Sequence, residues 1–443
     1  MTTTIDQRSA GSGGVPEVAT GLSISQGAAI SIGAVLGTGV IALPALAAGV
    51  AGPASLVAWL LLILLSIPLA TSFAALGSRY PDSGGVSTYV RNAFGPKVAA
   101  MVGWCFYFAV PVGAPPAALF GGAYVASAFG GGRTTMFATA VGLIVLVYAS
   151  NAGGVKVSGK VQLGLAILLA ALLIAATAAS LPHAHLSNLT PFAPHGWLAI
   201  GPAAAVLVWG FAGWEAVTSL AGDFRNPKRD VPRATTIALI VVGVLYFGVA
   251  VASVLVLGPK AGSTDAPLSE LLAIGLGGPA RQITAVAALV MTVGAMNAYF
   301  AGCSKLGAAL GRDGALPTWF ARGSNAGEVP RRSLTVCAVL ASTALAVVYF
   351  GGLSTKGAVL LTTGAFTLVY VLGTASAVKL LPRNTWAWRG SIVALIAVIG
   401  LMALTGLYVL WALGIAAASL LYLWRRRVTT AASQPVGSSS PAD

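Results

Sequence analysis

Apolar runs of bilayer length follow one another along almost the whole of this chain, with barely a charge inside them. Crossing the hydrocarbon core of a membrane takes about 20 residues of helix. We place twelve such runs, at 25–49, 54–77, 97–127, 135–151, 159–181, 197–220, 234–258, 282–308, 333–351, 356–380, 389–405 and 407–424. The last two are separated only by a tight turn at Thr405-Gly406. Only 8% of the residues are charged, against roughly 25% in soluble domains. The expected fold class is an all-α polytopic membrane protein with twelve transmembrane helices.

A net charge of +14 would suit a nucleic-acid binder if it covered one soluble surface. With the N-terminus assigned inside, however, 21 of the 25 basic residues fall in inner segments, and only Arg133, Lys260, Arg281 and Lys356 fall outside. This is the positive-inside bias. The charge therefore reports topology and contact with an anionic lipid bilayer, and nucleic acid is excluded as a partner. Both termini are expected in the cytoplasm, with the chain in the cell inner membrane. Residues 1–20 lack an apolar core, so the first span itself is the expected targeting element. Residues 1–20 and 428–443 read as disordered tails around one membrane domain at 21–427. No loop is long enough to hold a soluble enzymatic domain. Cys105, Cys303 and Cys337 lie in apolar runs and read as small buried hydrophobes. His183, His185 and His195 share one outer loop and read as solvated. No metal or cofactor is expected.

Two of the runs are interrupted in a way hydrocarbon does not tolerate. Gly37-Thr38-Gly39 breaks the first, and Phe211-Ala212-Gly213-Trp214-Glu215 breaks the sixth. A helix that opens in mid-membrane frees backbone N–H and C=O groups, which survive only where they line a cavity and meet a ligand. From Thr38 to Gly213 is 175 residues, a distance that holds five spans. Five is odd, so the second unit enters the membrane in the opposite orientation. That spacing is expected of an inverted repeat, at about 25–181 and 197–380, with the helices at 389–424 appended.

The chemistry of the breaks points to a zwitterion. The half-helix resuming at Val40 presents N–H groups and a positive dipole end, which suit a carboxylate. Thr38 adds a hydroxyl donor. Glu215 is the only acidic residue in any of the twelve cores, and a carboxyl at that depth marks a functional pathway. Two roles are open for it: cycling a proton during coupling, or pinning the unwound backbone by accepting N–H bonds. Trp209, Phe211 and Trp214 sit at the second break, and Trp104 and Tyr107 in span three are further candidates for lining. No core holds a second acid, and the basic residues within the runs sit near their ends, so none is placed in mid-membrane for a charged substrate side chain. The ligand expected is a neutral, apolar amino acid.

These residues resemble the amino acid–polyamine–organocation superfamily of transporters. The resemblance rests on Ile32 to Ile41, on Trp209 to Glu215, and on the inner-loop stretch Asp223-Phe224-Arg225-Asn226-Pro227-Lys228-Arg229-Asp230 with Val231 to Ala234. The loop pieces Arg79 to Gly85 and Arg312 to Pro317 match as well. Within the superfamily the chain is most similar to the methionine and branched-chain amino-acid exporter branch, through Leu36 to Val40, Pro44 to Ala48, Ser83 to Val86 and Pro111 to Gly113. The resemblance implies the LeuT-type five-plus-five inverted repeat with broken helices 1 and 6, working by alternating access. It implies that Val35, Gly37, Thr38 and Gly39 receive the substrate carboxylate. Ala212 and its neighbours Phe211 and Gly213 would receive the ammonium, and Trp209 would act as an aromatic gate.

Where some relatives carry a Lys in span five, this chain has Leu169. Its span eight holds only the separated Thr284 and Thr292, not the adjacent hydroxyl residues of a sodium site. The implied activity is secondary transport of methionine, leucine, isoleucine or valine, as efflux, with protons as a candidate co-substrate. Uptake by proton symport and amino-acid exchange are the alternatives within the fold, for a monomer or a homodimer. A channel is disfavoured by the lack of a filter segment, a sensor by the lack of an output domain. An enzyme is disfavoured by the lack of any catalytic constellation in the cores.

Overall fold

The computed structural model describes residues 22–432, except 38, 82–84, 155–158, 216–220, 278 and 325–327. The two terminal stretches 1–20 and 433–443 therefore lie outside the described residues, as do Thr38, Ser83 and Gly84. Residues 428–432, assigned above to the C-terminal tail, instead continue the last helix, which runs to Ala432.

The described chain is helical, with no strand beyond an isolated bridge between Leu22 and Phe224. The first span is two helices, α1 (Ile24–Leu36) and α2 (Leu43–Ala51), separated by turns. There follow α3 (Ser55–Arg79), the short amphipathic α4 (Val86–Phe94), α5 (Pro96–Phe129), α6 (Gly132–Ala152) and α7 (Gly159–Ser180). The sixth span begins as α8 (Ile200–Phe211) and opens at Ala212. Next come α9 (Pro227–Leu257), α10 (Pro267–Leu276), α11 (Ala280–Arg312), α12 (Arg331–Phe350), α13 (Thr355–Leu380), α14 (Trp386–Leu404) and α15 (Val409–Ala432). Among the described residues, ten helices are long and apolar enough to cross a bilayer, and α1, α8 and α10 are shorter apolar helices. The lipid-facing sides carry exposed Leu, Ile and Val, such as Leu61, Ile240 and Ile283.

Local chemistry sets the helix ends. Ser23 and Gln26 form a reciprocal capping box that starts α1. Proline opens α5, α9 and α10 at the position where no N–H is needed. The basic stretch Pro227 to Arg233, expected to precede the seventh span, is already helical, because Asp230 accepts the Asn226 N–H at 3.1 Å and caps the first turn. Inside α5, Pro111 has no N–H to offer the Tyr107 carbonyl. The Cys303 thiol takes that place at 3.4 Å, tying α11 to α5.

Cross-contacts sort the loops onto two faces. On the basic face, Arg91 pairs with Asp313, Arg426 donates to the Gly314 carbonyl, Lys379 donates to the Ala93 carbonyl, and Leu22 exchanges backbone bonds with Asp223 and Arg225. On the opposite face, the backbone at Gly262 lies against Gly49, and Gly275 lies against Ala179. A Cβ at Gly262 would stand 2.6 Å from the Gly49 Cα, so only glycine permits that approach.

Candidate functional site

The two interrupted helices meet, and a cavity lies where they do. Its wall includes Ala34, Val35, Gly37 and Gly39 from the first break and Trp209 and Ala212 from the second. The rest comes from α5 (Ala109 to Ala117), α11 (Met296, Tyr299, Phe300) and α13 (Thr362, Phe366). It encloses about 50 Å³ open to the centre of a water molecule, room for roughly four waters. No charged side chain lines it among the described residues.

At the first break the i→i−4 ladder stops at Gly37, whose φ of +29° is glycine territory. The ladder resumes when Leu43 donates to the Gly39 carbonyl. Between them the N–H groups of Gly39, Val40 and Ile41 meet no acceptor among the described residues. These residues are buried, and buried N–H groups without acceptors are rare and costly. Of the three, Gly39 lines the cavity.

At the second break Ala212 leaves helical geometry (φ −68°, ψ 135°), and Gly213 follows at φ +130°. Gly213 fits against α1 so closely that a Cβ would lie 2.8 Å from the Ala34 carbonyl oxygen. Glu215, 7% exposed, folds back so that its carboxyl accepts the Gly213 N–H at 2.9 Å and the Tyr370 hydroxyl of α13. The Gly213 N–H is also 3.2 Å from the Tyr370 oxygen. Glu215 thus faces its own backbone, outside the cavity wall.

A third tyrosine clamps the two breaks together. The Tyr246 hydroxyl of α9 sits 2.7 Å from the Val35 carbonyl and 2.6 Å from the Gly210 carbonyl. Its ring packs edge-on against Phe211 and Trp59. Gly39 and Gly210 permit this closeness, since a Cβ on Gly39 would meet the Trp209 ring at 2.9 Å and the Gly210 Cα at 3.0 Å.

Of the residues singled out from sequence, Val35, Gly37, Gly39, Trp209 and Ala212 line the cavity, while Thr38 lies outside the described residues. Phe211 and Gly213 support the breaks from behind. Trp214 is buried away from the cavity. Trp104 and Tyr107 sit nearer the basic face. The Trp104 indole N–H donates to the Ala315 carbonyl at 2.7 Å, and the Tyr107 hydroxyl to the Ser333 carbonyl at 3.0 Å. The α11 and α13 walls, Tyr246 and Tyr370 were not anticipated. A signal was available for the tyrosines, because a mid-span phenol must find an acceptor.

The chain has relatives among known proteins. A model of the family described as "Amino acid permease" matches residues 22–429. An uncharacterized amino acid permease of Bacillus subtilis, YecA, is 31% identical over 92% of this chain and 96% of its own length. The L-methionine/branched-chain amino acid exporter YjeH of Escherichia coli is 38% identical over 51% of this chain and 54% of its own length. The branched-chain amino acid permease BcaP of Bacillus subtilis is 29% identical over 65% of this chain and 66% of its own.

Proposed function

This chain belongs to the amino acid permease family, and from that premise we propose that it is a secondary carrier of neutral, apolar amino acids. Methionine, leucine, isoleucine and valine are the proposed substrates, and efflux the proposed direction. The observation that carries the reading is a cavity at the junction of two broken helices, with free N–H groups on one side and no charged side chain in its wall. A substrate carboxylate would bind the N–H groups of Gly39, Val40 and Ile41. The ammonium would face the carbonyls released after Ala212. The apolar side chain would lie among Gly113, Met296, Thr362 and Phe366.

The kind of substrate and its direction are supported by similarity to a methionine and branched-chain exporter. We take the basic face as cytoplasmic on the positive-inside bias. Both termini then lie inside, twelve spans cross, and the repeats at 25–181 and 197–380 face opposite ways. An aliphatic amino acid is larger than four waters, so loading requires the lining to yield. Met296 is the most compliant part of that lining. Glu215 is assigned the task of holding the second break open, on the strength of its bonds to Gly213 and Tyr370.

Purified protein in liposomes loaded with labelled methionine or leucine tests this reading, by efflux with and without an imposed pH gradient. Saturable efflux competed by the other branched-chain amino acids is expected. Flux of no neutral amino acid overturns the proposal. Acceleration by the gradient that vanishes in Glu215→Gln would give Glu215 a proton to carry as well.

A further inference from the structure

Two of the three cysteines meet where α11 packs against α12. The Gly307 backbone of α11 lies so close to α12 that a Cβ there would stand 2.2 Å from the Ser333 hydroxyl oxygen. The two helices run antiparallel, so one turn back from Gly307 and one turn on from Ser333 bring Cys303 opposite Cys337. The two thiols lie within hydrogen-bonding reach of each other, and both are buried. A disulfide needs Cα atoms about 4.4–6.8 Å apart, a spacing that packed helices reach where a glycine lets their backbones close in.

Cys303 already has a task. Pro111 has no N–H for the Tyr107 carbonyl, and the Cys303 thiol donates to that carbonyl at 3.4 Å. Tyr107 also holds α5 to α12, since its hydroxyl donates to the Ser333 carbonyl at 3.0 Å and accepts from the Ser333 hydroxyl at 3.3 Å. Val110, one turn further along α5, lines the central cavity, and so does Phe300, one turn from Cys303 on α11. The thiol pair therefore stands one turn away from two walls of that cavity.

A reducing cytoplasm keeps such a pair as thiols at rest. Burial shuts out glutathione and bulky thiol reagents, which leaves a small neutral peroxide as the oxidant that fits. Hydrogen peroxide transfers one oxygen to one sulfur, giving a sulfenic acid and one water. The second sulfur displaces that oxygen, which forms the S–S bond and releases a second water. Two sulfurs are oxidised, the peroxide is reduced to two waters, and neither thiol keeps its hydrogen. The Tyr107 carbonyl thereby loses the donor that stood in for Pro111.

We propose that Cys303 and Cys337 form a redox-sensitive pair, and that closing them into a disulfide slows transport by releasing the α5 carbonyl and tying α11 to α12. The effect on transport rests on the carrier reading above; the bond itself does not. Peroxide treatment of the purified full chain in liposomes, followed by alkylation of the denatured protein and mass spectrometry of its peptides, tests the bond. A link between Cys303 and Cys337 that a reductant removes is expected. Cys105 should be alkylated as a free thiol, because it faces the Ala412 carbonyl of α15 at 3.8 Å. Leucine efflux should fall about threefold as the link forms, the effect of one weak hydrogen bond, and recover on reduction.

Cys303→Ser keeps a donor for the Tyr107 carbonyl and cannot form the link, so its efflux should match that of the unmodified chain and ignore peroxide. Cys337→Ser should behave in the same way. Cys303→Ala has no donor to give, so it should be about threefold slow from the outset, with no further loss in peroxide. Peroxide that leaves the two cysteines unlinked overturns the proposal and leaves the carrier reading standing. A link that leaves efflux unchanged overturns it equally, as does an undiminished peroxide effect in Cys337→Ser. Efflux of no neutral amino acid before oxidation overturns the carrier reading and the effect on transport together.

Discussion

Replacing Glu215 with leucine deprives two buried donors of their acceptor, the Gly213 N–H at 2.9 Å and the Tyr370 hydroxyl. A buried donor left unpaired costs about 1–3 kcal/mol, so the pair sets a range of roughly 2–6 kcal/mol. The Tyr370 oxygen stands 3.2 Å from the Gly213 N–H and can take over part of that bond. The expectation for Glu215→Leu is therefore the lower half of the range, about 2–4 kcal/mol. Glutamine retains a carbonyl oxygen in the same place and gives up only the assistance of charge, about 1–2 kcal/mol. Combining Glu215→Leu with Tyr370→Phe removes one of the orphaned donors and should be less destabilising than the sum of the two single changes. Denaturant titration of the purified protein in detergent, followed by tryptophan fluorescence, gives the ranking. Efflux from liposomes, measured in parallel, should follow the same order, with Gln above Leu. If Gln is as damaging as Leu, the acceptor geometry is not what matters and the pinning role is wrong. If Leu is as stable as the unmodified chain, the two bonds hold nothing.

Further expectations concern the clamp and the walls. Tyr246→Phe leaves the Val35 and Gly210 carbonyls without their shared donor. It should cost about 1–3 kcal/mol in the same titration and lower efflux while leaving the ring packing intact. Gly213→Ala forces a side chain into the left-handed region and against the Ala34 carbonyl oxygen at 2.8 Å. Transport should fall at least tenfold, the equivalent of about 1.4 kcal/mol, even where the protein is still made and inserted. Gly113→Ala places a methyl 3.0 Å from the Trp209 ring and 3.1 Å from the Thr362 methyl. Competition assays should then show valine and alanine gaining on leucine and methionine.

The breaks were legible because each violates a rule of its surroundings. Glycines at Gly37 and Gly39 and a lone acid at Glu215 have no place in an uninterrupted membrane helix, so their types alone marked where the helices open. The walls were not legible in that way. Gly113, Ala117, Met296 and Phe366 are what any packed membrane helix contains, and only the assembled bundle decides which of them face the cavity. Trp104 and Tyr107 show the converse error of reading aromatics as lining. Their polar atoms are spent on the Ala315 and Ser333 carbonyls near the basic face. Tyr246 and Tyr370 escaped notice because nothing in sequence fixes the depth at which a phenol sits. The early start of α9 was missed because the charged residues from Lys228 to Arg233 were read as loop. The cap at Asp230 makes them helix.

The Tyr246 hydroxyl has one hydrogen and two carbonyls within 2.7 Å, each on a different interrupted helix. Such a joint tolerates a small slide, since one contact shortens as the other lengthens, but it resists separation. The two breaks should accordingly travel as one rigid piece. The groups proposed to grip the ends common to every amino acid would then keep their mutual spacing throughout the cycle. The surfaces proposed to meet the variable side chain belong to α5, α11 and α13, outside that piece. Discrimination among substrates would then be exercised by how those walls close on a fixed grip. Variants that alter preference should cluster on them, while variants of the grip change rate for all substrates alike.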